Sequence, residues 1–229
     1  MNINTNIAKV AALVSEASRA TILTALLDGR FHTASELAYM AGIKPQTASF
    51  HLTKMVQAEI IKVEKQGRHR YFGIRDSEVA QVMEQLLAIA PAMEIRSLKQ
   101  STEDKAVRLA RTCYDHLAGS LGVKLTDSLL QMDVLYEEKK EFIISERGRE
   151  FFAQFQIDIG RIKKKRRSFS PKCLDWSERR HHLAGSLGNA LLERLLELNC
   201  IERVPKTRAI HITPEGRKRL KETFSIDIS

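Results

Sequence analysis

Residues 7–27 place apolar side chains at helix spacing. Ile7, Val10, Ala11 and Val14 share one face, Ile22, Leu23, Leu26 and Leu27 share another, and Asp28-Gly29 reads as a stop. Thr33-Ala-Ser-Glu36 then has the form of a capping box, with the threonine hydroxyl on an orphan N–H and the glutamate reaching back. It opens a short helix through Leu37, Ala38 and Met40 that ends at Ala41-Gly42-Ile43. Lys44-Pro45 opens the next helix, with proline in the first turn, where its missing N–H costs nothing. That helix, running to about Gln57, turns Ala48, Leu52, Met55 and Val56 inward. It leaves Gln46, Thr47, Ser49, Phe50 and Lys54 outside or at the margin. A short helix, a glycine turn and a polar-faced helix predict a helix-turn-helix. A hairpin comes next, from Ile60 to Glu64 and from Arg68 to Ile74 around Lys65-Gln66-Gly67, and its basic tip suits a wing lying along a phosphate backbone. Residues 77–93 carry a broad stripe (Val79, Val82, Met83, Leu86, Ile89, Ala90, Met93) that fits a dimer helix or plain packing on the next part of the chain.

The second half contains a repeat. His116-Leu-Ala-Gly-Ser-Leu-Gly122 recurs identically as residues 182–188. Leu125, Leu129 and Leu130 map onto Leu191, Leu195 and Leu196; Ile144 to Arg149 maps onto Ile212 to Arg217, and Phe155 to Asp158 onto Phe224 to Asp227. Residues 102–158 and 170–229 therefore read as a duplication, each copy a long helix, a short hairpin and a closing helix started by Ser145 or Thr213. The small face Ala118/Gly119/Gly122, repeated as Ala184/Gly185/Gly188, would let the copies pack closely about a pseudo-two-fold axis.

Composition adds a class of partner. The formal charge is +9, which favours a polyanion, nucleic acid or anionic membrane. Residues 161–169 alone hold six basic groups and no acidic one, either as a solvated linker or as an extra phosphate contact. No apolar run approaches the ~20 residues of a membrane span, and the start lacks a secretory pattern. Three cysteines are too few and odd in number for a disulfide framework, so a cytoplasmic protein is expected.

The stretch from Ser18 to Ile74 resembles the winged helix-turn-helix domain of ArsR/SmtB-type bacterial transcriptional repressors. The resemblance rests on an R-x-x-I-L-x-x-L helix, a T-x-x-E-L-A helix, a T-A-S-x-H-L recognition helix and a G-R-x-x-Y wing, and covers roughly residues 8–92. It implies a homodimer with each recognition helix in a major groove of a palindromic double-stranded operator. Chemistry then assigns roles: Gln46 to an adenine edge, Thr47 and Ser49 to base edges or phosphate, Phe50 to a thymine methyl. Lys54, Arg68, His69 and Arg70 suit phosphate, Thr33 joins the DNA-binding set, and His51 suits packing. The Cys-x-Cys of the family's metal sensors is replaced by Ser-Glu-Leu-Ala, so no metal site of that type is expected.

The expected organisation is a DNA-binding and dimerisation domain at 1–93 and an effector or oligomerisation domain at 94–229, with a basic linker at 159–169. The fold class is mainly α with short β-hairpin wings: the winged helix followed by two winged-helix-like repeats. The second half, with its T-C-Y-D-H-L-A-G and C-L-D-W-S-E-R-R segments, resembles that of a subgroup of ArsR-like regulators, which implies no particular ligand. Its candidate effector residues are Cys113, Tyr114, His116, Cys173, Trp176 and His182. Several readings stay open for them: Cys113 and His116 as metal or haem ligands with His182 as symmetry mate, a thiol switch, an organic effector walled by Trp176 and Tyr114, or dimerisation alone. No cofactor is assigned. Asp175-Trp-Ser-Glu178 reads as a further capping box. No enzyme motif is present; Gly119 and Gly122 are read inside a helix and not after a strand. The rival to a repressor is an architectural or replication-type DNA binder built of tandem winged helices.

Overall fold

The structure, a computed structural model, describes residues 7–91 and 97–228 and divides into two compact units, 1–84 and 85–229. In the first, α1 (Ile7–Val14), α2 (Ala17–Leu26), α3 (Ala34–Met40) and α4 (Pro45–Gln57) accompany a small antiparallel sheet in the order β1-β3-β2. Its strands are β1 (His32–Thr33), β2 (Ile61–Gln66) and β3 (His69–Ile74), and α5 (Ser77–Ile89) comes after them.

The periodic stretch 7–27 is broken in two at Ser15-Glu16. The Glu16 carboxylate accepts from the N–H groups of Ser18 and Arg19 at 2.9 and 3.0 Å, starting α2 afresh, and Arg19 donates to the carbonyls of Ala12 and Leu13 at the end of α1. The core is built by Ile22, Leu23, Leu26, Leu27, Leu37, Leu52 and Met55 with Phe72 and Ile74 of the wing. Each such side chain contributes about 1.5–3 kcal/mol by leaving water. The wing is longer than its sequence suggested: Lys65 pairs with Arg70 and Gln66 with His69, which confines the turn to Gly67-Arg68. Along α5, Ala80, Met83 and Ala88 are buried while Val82, Leu86 and Ile89 remain open to solvent. Met93, the end of the predicted stripe, lies outside the described residues.

The second unit opens with α6 (Leu98–Leu109) and then runs twice through one order of elements. The first pass is β4 (Arg111–Cys113), β5 (His116–Ala118), α7 (Gly119–Gln131), β6 (Leu135–Glu138), β7 (Glu141–Ile144) and α8 (Glu146–Gln154). After α9 (Ile159–Lys163) the second pass is β8 (Lys172–Leu174), β9 (His181–Leu183), α10 (Gly185–Glu197), β10 (Ile201–Arg203), β11 (Ile210–Ile212) and α11 (Pro214–Phe224). Each repeat thus begins with a hairpin that the sequence pattern does not announce, and the shared heptapeptide is a strand that turns into a helix. Gly119 and Gly185, at φ +77° and +71°, make that turn, so Gly119 does follow a strand directly. Nor does Asp175 cap a helix; its carboxylate gathers the N–H groups of Ser177 and Glu178 in a turn. The basic segment 159–169 contains α9, anchored by buried Ile162.

The repeats exchange their leading hairpins. Thr112 N–H donates to Arg208 C=O and Ile210 N–H to Ala110 C=O, while Phe142 N–H donates to Ser170 C=O and Lys172 N–H to Lys140 C=O, all at 2.9 Å. Leu117, Leu121, Leu125 and Leu129 of the first repeat share one core with Leu183, Leu187, Leu191 and Leu195 of the second. The glycines serve the approach of helix to strand: a Cβ on Gly122 would lie 2.5 Å from Leu117 O, and one on Gly188 2.5 Å from Leu183 O and 3.1 Å from His116 Cβ.

Candidate functional site

Two surfaces concentrate chemistry, one in each unit. On α4, Ala48, Leu52 and Met55 face the core, so the opposite face is turned to solvent by the 3.6-residue period. Gln46, Thr47, Phe50 and Lys54 are exposed there and Ser49 is half-buried. Phe50 is 57% exposed, and the Lys54 ammonium lies 4.3 Å from its ring centre. An aromatic left in water beside a cation is a feature that core packing does not require. His51 turns inward, with Nε2 3.4 Å from the Glu16 carboxylate. Thr33 caps α3: its hydroxyl accepts from Glu36 N–H and donates to the Glu36 carboxylate, so it positions the turn. At the wing tip, Arg68, His69 and Arg70 are all exposed.

In the second unit, four of the expected effector residues meet. Cys113 and Cys173 have sulfurs 3.8 Å apart, and Nε2 of His116 lies 3.1 Å from Nε2 of His182. A ligating atom from each of the four lies within 4.8 Å of all the others. The strand register explains it: Cys113 pairs across β4–β5 with His116, and Cys173 across β8–β9 with His182. Cys113, His116 and His182 are buried and Cys173 is half-buried. Each imidazole turns its Nδ1 toward a carboxylate, His116 to Asp115 at 3.5 Å and His182 to Asp175 at 3.3 Å. Each carboxylate in turn holds an arginine: Asp115 takes both terminal nitrogens of Arg167, and Asp175 takes Arg111 at 2.9 Å. Burial opposes charge on Asp115, but His116 and Arg167 overcome it and hold its pKa down to about 2. The same contest is won on Asp175 by His182 and Arg111, which keep it well below the usual carboxylate range. Burial would neutralise His116, yet the neighbouring Cys113 sulfur and Asp115 hold its imidazolium up to about 10.

Tyr114 and Trp176 take other places. Tyr114 occupies the tight β4–β5 turn at φ +58°, and the Trp176 ring lies under the guanidinium of Arg111 at 4.3 Å. The gap between the repeats lined by Leu117, Thr126, Leu183 and Leu191 has room for a water molecule at most, far below the volume of an organic effector. Cys200 is buried apart from the cluster, and burial pushes its thiol pKa up.

Residues 14–64 match the family model described as a helix-turn-helix domain. Over 225 residues the chain is 52% identical to the HTH-type transcriptional regulator YdfF of Bacillus subtilis (strain 168), covering 98% of this chain and all of that protein. The chain belongs to the helix-turn-helix transcriptional regulators. Like other members of that family it is a DNA-binding regulator of transcription, and its winged helix carries the ArsR/SmtB-type motifs. Solved structures similar to it include the cadmium metal-sensor CMTR of Mycobacterium tuberculosis, at 24% identity and a TM-score of 0.33 over 39% of this chain and 93% of that one. NolR of Sinorhizobium fredii is 20% identical, with a TM-score of 0.35 over 38% and 86%. No described helix is long and apolar enough to cross a membrane.

All four residues were expected in the effector set, but the sequence does not join Cys173 to the other three as ligands, because the repeat aligns on its histidines. Three positions separate Cys113 from His116, but nine separate Cys173 from His182, so the cysteines fall out of register. A search for one cysteine paired with one histidine across each leading hairpin would have grouped Cys173 with them.

Proposed function

We propose that this regulator is a sequence-specific repressor that binds a palindromic duplex operator as a homodimer in the cytoplasm and is released by an effector sensed in the second unit. The observation that carries the reading is the α4 face: an exposed row of hydrogen-bonding and apolar groups set opposite a buried Ala48/Leu52/Met55 stripe. In the major groove, Gln46 would span an adenine edge, Thr47 and Ser49 would bond base edges or phosphate, and Phe50 would meet a thymine methyl. Lys54, Arg68, His69 and Arg70 would hold phosphates, and Thr33 would set the angle of the turn. The exposed apolar groups Ile7 and Val10 on α1, and Val82, Leu86 and Ile89 on α5, support a dimer.

Exposed Lys163 to Arg166 favour a second reading, a sequence-tolerant architectural binder. Selection from random duplexes by the purified protein separates the two. A short inverted repeat, bound far more tightly than random DNA and lost as a preference in Gln46→Ala/Ser49→Ala, supports the repressor. Length-dependent binding indifferent to sequence, or unchanged preference in the double variant, refutes it.

A further inference from the structure

We propose that Cys113, His116, Cys173 and His182 form a tetrahedral site for a thiophilic divalent cation of the zinc type, which clamps the two repeats together. The distances already describe such a site. Bonds of ~2.3 Å to sulfur and ~2.05 Å to nitrogen imply tetrahedral edges of ~3.8 Å between sulfurs and ~3.3 Å between nitrogens. The observed separations are 3.8 and 3.1 Å. With each Nδ1 turned toward a carboxylate, both imidazoles point Nε2 at the same place, and a cation there would take both nitrogens once their Nε2 protons had left, with a carboxylate behind each ring to fix it. His182 Nδ1 is buried without a well-aligned hydrogen bond and needs little adjustment to reach Asp175.

Charge selects the ion. Asp115 is neutralised by Arg167 and Asp175 by Arg111, so two thiolates remain to balance a dication, and the protons held by the four donors leave to solvent on binding. Two sulfurs and two imidazole nitrogens in tetrahedral array suit zinc better than magnesium or calcium, which take oxygen ligands. With all four positions filled by protein, the site stabilises or senses and does not catalyse. One cysteine and one histidine come from each repeat, so the ion would join hairpins 60 or more residues apart in sequence. None of this depends on how the first unit meets DNA.

The test is metal analysis of the full chain purified with reductant and without chelator, followed by stripping and titration with Co2+. The expected result is one zinc per chain, with stripped protein giving intense tetrahedral cobalt absorption and a thiolate-to-cobalt charge-transfer band. Cys113→Ser and Cys173→Ser should lose that signature, and Cys200→Ala should keep it. In wild type, zinc should protect Cys113 and Cys173 together from alkylation, a readout that stands even where a variant misfolds. Substoichiometric zinc, a weak octahedral cobalt spectrum, or alkylation of Cys113 and Cys173 unchanged by zinc would overturn the proposal. So would a Cys113–Cys173 disulfide that forms as fast with zinc as without it.

Discussion

Asp175 offers the most direct test of what holds the second unit together. Both it and Arg111 are 0% exposed, and their ion pair is 2.9 Å long. One carboxylate oxygen accepts from Arg111, the Ser177 N–H and hydroxyl, and Glu178 N–H; the other accepts from Gly119 N–H at 2.7 Å, where α7 begins. Asp175→Asn keeps the shape but places an NH2 where an acceptor stood, so one set of donors faces a donor. It also strips the buried guanidinium of its counter-charge. Breaking a buried pair on one side costs about 3–5 kcal/mol, and for a unit of this size that lowers Tm by about 10–15 °C. Trp176 is the sole tryptophan and lies 4.3 Å from Arg111, so its fluorescence in a chelator-containing denaturation series reports this unit directly. Arg111→Met should cost a similar amount, and the double variant should cost at least ~2 kcal/mol less than the two combined. A loss below ~1 kcal/mol in Asp175→Asn, or additive losses in the pair, would show that the ion pair contributes little.

Three further outcomes rest on particular contacts. Gly188→Ala should destabilise the second unit by about 1–3 kcal/mol in the same fluorescence assay, because its Cβ meets a strand carbonyl that has nowhere to move; Gly160→Ala, whose Cβ meets at closest a carboxylate oxygen at 3.3 Å, should be neutral or mildly stabilising. Changing Lys163, Lys164, Lys165 and Arg166 to glutamine should flatten the salt dependence of DNA binding by up to ~0.9 per residue if each touches phosphate; an unchanged slope would make the segment a bystander. In the first unit, burial opposes charge on Asp28, but His32 and Arg30 hold its pKa below the ordinary 3.8. It therefore stabilises the fold above about pH 4 and loses that contribution as pH falls through its folded value. Hydrogen exchange in α2 and β1 should be faster in Asp28→Asn than in wild type at about pH 7, with the difference shrinking below about pH 4; a gap independent of pH would assign the effect to packing.

The first unit was legible because its signals are local. A capping box at Thr33, a glycine at Gly42 and a proline at Pro45 each act within one helical turn, and the structure places α3 and α4 where those residues put them. The local pattern misleads where a neighbour decides the structure. The stripe from Ile7 to Leu27 reads as continuous because apolar spacing alone does not reveal that the Glu16 side chain captures two backbone N–H groups. The leading hairpins β4–β5 and β8–β9 are three residues per strand and rest on the opposite repeat, so no local pattern marks them. Repeated glycines suggested a close approach of the two copies; a Cβ on Gly122 or Gly188 would meet first the carbonyl of the preceding strand in its own repeat, and next the histidine of the other copy.

The duplication also explains why a cluster of this kind stands between the repeats. A hairpin with one cysteine opposite one histidine supplies half of a four-ligand set, and two such hairpins brought together supply the whole. The six additional residues between Cys173 and His182, compared with Cys113 and His116, contain Asp175, which reaches back to Arg111 and to the first turn of α7. In the other direction Arg167, just before β8, reaches Asp115 beside His116. Each histidine is therefore backed by a carboxylate of its own repeat; Asp175 is neutralised by Arg111 of the first repeat, and Asp115 by Arg167 of the segment that leads into the second. That reciprocity makes Arg167 differ from the rest of the basic run. Its charge is committed inside the second unit, while Lys163 to Arg166 remain exposed, so any contribution of this segment to DNA affinity has to come from those four residues.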